Sequence, residues 1–360
     1  MLQKLGNITF NNAKTSHWVL TVTGVVLTTG LLSCQSQTPG NQVSLIGAGA
    51  SFPAPLCQTW FDVYNQQNPN VKIDYQSIGS GAGVNQYLRR TVDFGATDAP
   101  LTEEERQQFR AKYNTEPIQV PLTGGAVVFA YNVGGDVKNL RLSRQAYCGI
   151  VQGDIKTWDN PLIAKQNPNV NLSNTPIRFV HRSDGSGTTF LFTNHISEVC
   201  PNWKAGVGKS INWPVGIGAK GNEGITAQVQ QTQGAIGYVE YVYAKQSNLN
   251  MATLENKAGQ FVDPSPESAA RALRGQTIPQ NFALEIPDPP EQQAYPIVGL
   301  TWLLLYNQYD NPAQATTLKN FVDWALTQGD KYALQLGYIP ISNELAQRVQ
   351  STVSEKVAAR

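Results

Sequence analysis

The chain has 360 residues, 41% of them hydrophobic, with 27 lysines and arginines against 26 aspartates and glutamates. A balance this even excludes the broad basic face of a nucleic-acid binder, but it suits a small-anion site built from local dipoles and one guanidinium. With three histidines, four cysteines and no CxxC pair, neither a metal centre nor a cofactor site is expected.

Residues 1–33 carry Lys4 and Lys14, no acid, and an apolar stretch from Trp18 to Leu32 that is short for a membrane span. They read as a secretory signal. The run Leu31-Leu32-Ser33-Cys34 fits lipoprotein processing, with Cys34 lipidated and Gln35–Gln42 as the polar tether of a membrane anchor. Removing residues 1–33 leaves 25 basic residues against 26 acidic ones, enough chain for two lobes with cores of their own. Of the other cysteines, Cys148 and Cys200 both fall in the middle portion and are the expected disulfide of an exported protein; Cys57 lies on the apolar side of a predicted helix as a free buried thiol.

From there, strand-like and helical patterns alternate. Val43–Ile46 precedes a helix with Leu56, Trp60, Val63 and Tyr64 on one face, and Val71–Tyr75 precedes a helix carrying Val84, Tyr87 and Leu88. This is the pattern of an open α/β sheet, whose ligands sit at strand-to-helix turns. Such turns here are rich in small residues: Gly47-Ala48-Gly49-Ala50-Ser51-Phe52-Pro53, Gly79-Ser80-Gly81-Ala82-Gly83 and, later, Arg182-Ser183-Asp184-Gly185-Ser186-Gly187-Thr188. A helix start carries unpaired N–H groups and partial positive charge, and small side chains let an anion come close. Three such openings, Arg182 and a Thr97-Asp98 turn read as a grip on one tetrahedral anion. Arg182 also suits an ion pair with Asp184, which would hold its fork for bidentate contact.

Thr102-Glu103-Glu104-Glu105 reads as a capping box opening a helix through Phe109, a structural role. The apolar runs Val127–Tyr131 and Pro296–Tyr306 flank the middle stretch and read as two crossings between lobes, so the first lobe is discontinuous. Asn281–Gln293, rich in proline and acids, is then a surface approach to the second crossing.

Three motifs compete with an anion-binding reading. Gly216-Ile217-Gly218-Ala219-Lys220-Gly221 matches the dinucleotide GxGxxG, yet the preceding Ile211–Val215 contains Pro214 and makes a poor central strand. Gly206-Val207-Gly208-Lys209-Ser210 resembles the end of a P-loop but has Trp203 where the first glycine is required. Ser186 between two glycines invites a hydrolase reading with nearby His181, but it lacks the GxSxG spacing.

In order along the chain, Gly47–Pro55, Ile78–Val84, Val92–Pro100, Arg182–Thr188 and Gly234–Tyr241 resemble the motifs of the phosphate-binding lipoproteins that feed Pst-type ABC importers. The resemblance runs from about Val43 to about Pro340. It implies a two-lobed, class II periplasmic-binding-protein-like fold with inorganic phosphate in the interlobe cleft and the importer's permease subunits as partners. It implies donors at Ser51, Phe52, Ser80, Ser186, Gly187 and Thr188, charge from Arg182 supported by Asp184, and an acceptor at Asp98. The expected divisions are signal 1–33, tether 34–42, first lobe 43–123, second lobe 124–295, and 296–360 returning to the first lobe with a C-terminal helix. A monomer that binds without turnover, lipid-anchored outside the cytoplasmic membrane, is expected; the alternatives are a phosphoester hydrolase on a similar scaffold and a phosphate sensor without transport.

Overall fold

A computed structural model describes residues 42–135 and 137–359. The expected signal, the lipidation site Cys34 and nearly all of the tether lie outside the described residues. Strand–helix alternation opens the fold: β1 (Val43–Gly49), α1 (Ala54–Gln67), β2 (Val71–Ser77), α2 (Ser80–Arg89), β3 (Phe94–Thr97) and α3 (Glu103–Tyr113) lead into the 15-residue β4 (Ile118–Asn132). The middle stretch holds β5 (Arg141–Leu142), α4 (Arg144–Gln152), α5 (Pro161–Ala164), β6 (Arg178–Arg182), α6 (Gly187–Val199), β7 (Ile217–Ala219), α7 (Gly221–Gln231), β8 (Ala235–Glu240) and α8 (Tyr241–Gln246). It continues through β9 (Asn250–Met251), β10 (Thr253–Glu255), β11 (Phe261–Val262) and α9 (Pro266–Leu273). The chain then returns through β12 (Val298–Leu305), β13 (Gln308–Tyr309), α10 (Pro312–Ala325), α11 (Asp330–Leu336), β14 (Ile339–Pro340), α12 (Asn343–Lys356) and β15 (Ala358–Ala359).

Local signals place the first elements. Pro55 sits in the first turn of α1, where its missing N–H costs nothing, and the Thr102/Glu105 capping box starts α3. Helix α2 lies so close to β1 that a side chain at Gly83 would come within 2.3 Å of the Gly49 backbone. Only glycine permits that approach.

The main sheet runs in the order β2-β1-β3-β12-β4-β8-β6-β7, with β14 and β9 also pairing β4. Its centre is β4, which changes partner along its length: Ile118–Ala126 pairs β12, and Val127–Asn132 pairs β8. The two neighbourhoods are the two halves of a mixed α/β, two-lobed fold. Pro121 lies inside this central strand, where a missing N–H would break the ladder. A register shift opposite Thr301 and Trp302 absorbs it.

Separate aromatic clusters fill the two sides. Tyr87 stacks on Phe109 and Tyr306 at 5.1 and 4.7 Å, while Phe61, Tyr64 and Trp324 pack around Phe321. On the other side Phe192 and Trp213 stack on Tyr238 at 4.2 and 5.6 Å. Burying each such ring contributes about 1.5–3 kcal/mol. The disulfide joins Cys148 on α4 to Cys200 at the end of α6, with Cα atoms 5.5 Å apart, and Cys57 is a free buried thiol.

Candidate functional site

Polar side chains are costly to bury unless something pairs them, and Ser51, Ser80, Asp98, Arg182, Ser186, Thr188 and Asn222 are all buried in one region. Ser51 follows β1. Ser80 opens α2 behind Gly79, with no side-chain cap on that helix. Asp98 follows β3, Arg182 ends β6, and Ser186 caps α6, its Oγ accepting from Thr189 N at 3.0 Å. Gly187 and Thr188 form the first turn of α6. Each residue thus stands at a strand end or a helix start, as an open α/β sheet requires.

Hydrogen bonds bring these segments together across the fold. Gly187 N donates to Ser80 Oγ at 3.0 Å, Asp98 N donates to the same oxygen at 3.4 Å, and Gly81 N donates to Gly185 O at 2.8 Å. A side chain at Gly187 would come within 2.6 Å of Asp98, so glycine is what lets the α6 opening approach that carboxylate. Ser51 Oγ accepts from Asn222 N and Nδ2 at 3.2 and 2.9 Å, and Asn222 Nδ2 also reaches Thr188 Oγ1 at 3.3 Å. The buried Phe52 is held through its carbonyl, which accepts from Tyr338 OH at 2.7 Å.

Arg182 is oriented from several directions. Its Nε and Nη2 donate to the two oxygens of Asp184 at 2.7 and 2.5 Å, its Nη1 reaches Thr188 Oγ1 at 3.4 Å, and its backbone N donates to Tyr238 OH at 3.0 Å. Tyr238 OH lies 2.6 Å from Thr189 Oγ1, so one aromatic residue ties β6 to α6. Burial pushes the Asp184 carboxyl up, but Arg182 and the Gly221 N–H, 3.0 Å away, outweigh it and hold the group below its ordinary value. The ion pair therefore stays charged inside the protein.

Asp98 is the reverse case. Its Oδ1 accepts from Thr301 Oγ1, while its Oδ2 is buried without a partner. Burial pushes the carboxyl up to about 7 against the opposing pull of Thr301, Arg182 and Ser80. A raised carboxyl favours the folded state at low pH and loses that advantage as pH rises. The ligand-free protein should therefore lose stability between about pH 4 and pH 7, by a few kcal/mol at about 1.4 kcal/mol per pKa unit. Denaturant unfolding of wild type and Asp98→Asn across that range checks this: the decline should be shallower in the variant, and parallel curves would refute it.

Residues with no obvious local signal complete the site. Thr301, beside the sheet irregularity in β12, fixes the Asp98 carboxylate. Asn222 lies just inside α7, directly after Gly216–Gly221, which forms a short strand-turn-helix: β7, parallel to β6, then α7. Ile211–Val215 is not a strand, as Pro214 indicated, but the strand begins two residues later. The opening of α7 is engaged by protein groups, its first N–H groups donating to Asp184 and Ser51.

The remaining motifs have other employment. Ser186 Oγ is a helix cap, both ring nitrogens of His195 are engaged by Tyr147 OH and Pro287 O, and His181 Nδ1 faces Arg182 O. Lys209 of the P-loop-like run pairs with Glu105 of the capping box, and its carbonyl accepts from Ser186 N at 2.7 Å. Glu105 therefore caps α3 and also pairs across the fold. A partly buried pair of this kind is worth about 1 kcal/mol. A pair that helps hold the fold closed around an anion predicts that Lys209→Met, or Glu105→Gln with the cap retained, weakens anion affinity roughly three- to tenfold and flattens its salt dependence; an affinity equal to wild type at low salt would exclude that role.

Comparisons with known proteins place the chain among relatives. The model of the PBP superfamily domain matches residues 35–328. The chain is 40% identical over 332 residues to the phosphate-binding protein PstS of Pasteurella multocida, covering 91% of this chain and 93% of that one. It is also 40% identical to the Haemophilus influenzae protein of the same name, over 86% and 92% of the two chains. A solved high-affinity periplasmic phosphate-binding protein with phosphate bound shares the fold, with a TM-score of 0.74 at 22% identity over 86% of this chain and 94% of that one.

Proposed function

The chain belongs to the PstS phosphate-binding proteins of the PBP superfamily, and from that premise we propose that it takes up inorganic phosphate outside the cytoplasmic membrane and delivers it to an ABC-type importer. The observation that carries this is the buried, unpartnered Oδ2 of Asp98, which shares its enclosure with Arg182 and the openings of α2 and α6. Above its raised value of about 7 the carboxylate is ionised and only accepts hydrogen bonds, so its counterpart must then be a protonated oxygen. Phosphate near neutral pH has one; sulfate does not.

Each residue then has a task. Arg182 supplies positive charge, with Asp184 fixing its fork so that Nη1 is presented to the anion. Ser51, Phe52, Ser80, Ser186 and Thr188 supply backbone N–H and hydroxyl donors, Gly187 N joins them on leaving Ser80 Oγ, and Asn222 holds Ser51 and Thr188 in register. Charge-assisted bonds of about 1.5–3 kcal/mol each, with smaller dipole contributions, reach the roughly 8 kcal/mol of micromolar binding once water is excluded.

Water is excluded by closing two lobes. We place the first lobe at 43–126 with 298–359 and the second at 127–297, a few residues beyond the expected divisions, because β4 changes partner between Ala126 and Val127. Val127 N donates to Ile297 O at 2.9 Å, which joins the two crossings where a hinge would bend. It binds without turnover, in keeping with relatives named as binding proteins, and acts as a monomer. Cys34 carries the lipid that holds the protein at the membrane beside the importer's permease subunits.

Calorimetric titration of ligand-stripped protein with phosphate, paired with a chromogenic phosphate ester, tests the reading. Tight one-to-one binding without ester turnover is expected. Turnover, or no phosphate binding, would overturn it.

A further inference from the structure

Among the described residues, six buried side-chain polar atoms have no hydrogen-bond partner, and two of them are nitrogen donors: Arg106 Nη2 and Gln119 Nε2. Both residues line one cleft of about 450 Å³ between α3, the start of β4, the turn at Gln280–Phe282 and α12. The coincidence is chemical as well as spatial. Gln119 is only 4% exposed, and its Oε1 accepts from Leu101 N at 2.8 Å, which fixes the amide and leaves Nε2 as the unmatched donor. Arg110, on the same helix as Arg106, is by contrast engaged by Glu103 and Glu116. Those two acids also line the cleft, but Arg106, Arg110 and Lys356 outnumber them in its lining.

A guanidinium nitrogen and an amide nitrogen that are both buried and both lack acceptors call for a partner rich in acceptors, best supplied by an anion. We propose that this cleft is a second anion site, separate from the Asp98 cleft, that takes a small oxyanion or carboxylate. Its selectivity should be opposite to that of the Asp98 site. The unmatched groups here are donors, so nothing demands a protonated ligand, and sulfate and acetate fit as well as phosphate does.

That difference supplies the experiment. Full-length protein carrying one equivalent of phosphate is titrated with sulfate, then with acetate, at constant ionic strength, while the side-chain amide of Gln119 and the guanidinium of Arg106 are followed by nitrogen-15 NMR. Saturable shifts in both signals are expected with either anion. In Arg106→Met, which should keep wild-type phosphate affinity, the Gln119 response should weaken by at least about tenfold. Gln119→Glu, which keeps the acceptor for Leu101 and replaces the donor with a charge, should abolish the Arg106 response and stands in if the first variant does not fold. Shifts that do not saturate, or a response unchanged in a folded variant, would overturn the proposal and leave ordinary water as the partner of the two donors. The NMR signals do not depend on what occupies the Asp98 cleft, so failure here and failure of phosphate binding are separate results.

Discussion

Asp98→Asn is expected to bring the affinities for phosphate and sulfate close together. In the wild type above about pH 7, where Asp98 is ionised, sulfate would set an unprotonated oxygen against a buried acceptor, a mismatch that grows about tenfold per pH unit. The Thr301 hydroxyl donates to Oδ1, so an asparagine would keep its oxygen there and place its NH₂ where Oδ2 stands. A donor now faces the anion. Sulfate should gain most of the lost factor, while phosphate, which has unprotonated oxygens to offer, should lose comparatively little. Titrations of both anions into both proteins measure the ratio; an unchanged ratio removes Asp98 from the role.

Arg182→Met is expected to reduce phosphate affinity by at least about a hundredfold, the equivalent of one to two charge-assisted bonds. The side chains of Arg182 and Asp184 are 1% and 12% exposed, so removing the guanidinium strands a buried carboxylate at a cost of about 3–5 kcal/mol in stability. Adding Asp184→Asn separates the two effects. The double variant should recover most of the stability and none of the affinity, measured by denaturant unfolding and calorimetry. Arg182→Lys should also bind poorly, because a single ammonium cannot hold both Asp184 oxygens and still present a donor to the anion. Wild-type affinity in either variant would contradict the account.

Residues 43–113 were legible because their signals are local. The strand before Leu56 and Trp60, the capping box at Thr102, and the glycines at 49 and 83 each announce their structure within a few positions. The central strand β4 was only half visible. Pro121 and the Gly124-Gly125 pair interrupt its pattern, so the sequence read a strand only from Val127, and the irregularity that tolerates Pro121 depends on β12, far away in the chain. Thr301 was hidden for the same reason, since nothing near it in sequence marks a hydroxyl that will meet Asp98. Asn222 had a signal that was set aside: Gly216–Gly221 was read as a dinucleotide decoy, but its strand-turn-helix character still brings a residue to Ser51 and Thr188. Glu105 and Lys209 show the limit of one role per residue. Each was assigned to a local motif, and each also reaches across the fold.

Phosphate selectivity rests on a proton shared between Asp98 and its ligand, so the most direct measurement is a crystal structure of the phosphate-bound protein at a resolution that locates hydrogens. It should show one phosphate oxygen against Asp98 Oδ2 at a short O–H···O distance of about 2.5–2.7 Å, with Arg182 and the α2 and α6 openings on the other oxygens. An anion bound elsewhere in the cleft, or a phosphate with Asp98 turned away from it, would contradict the account.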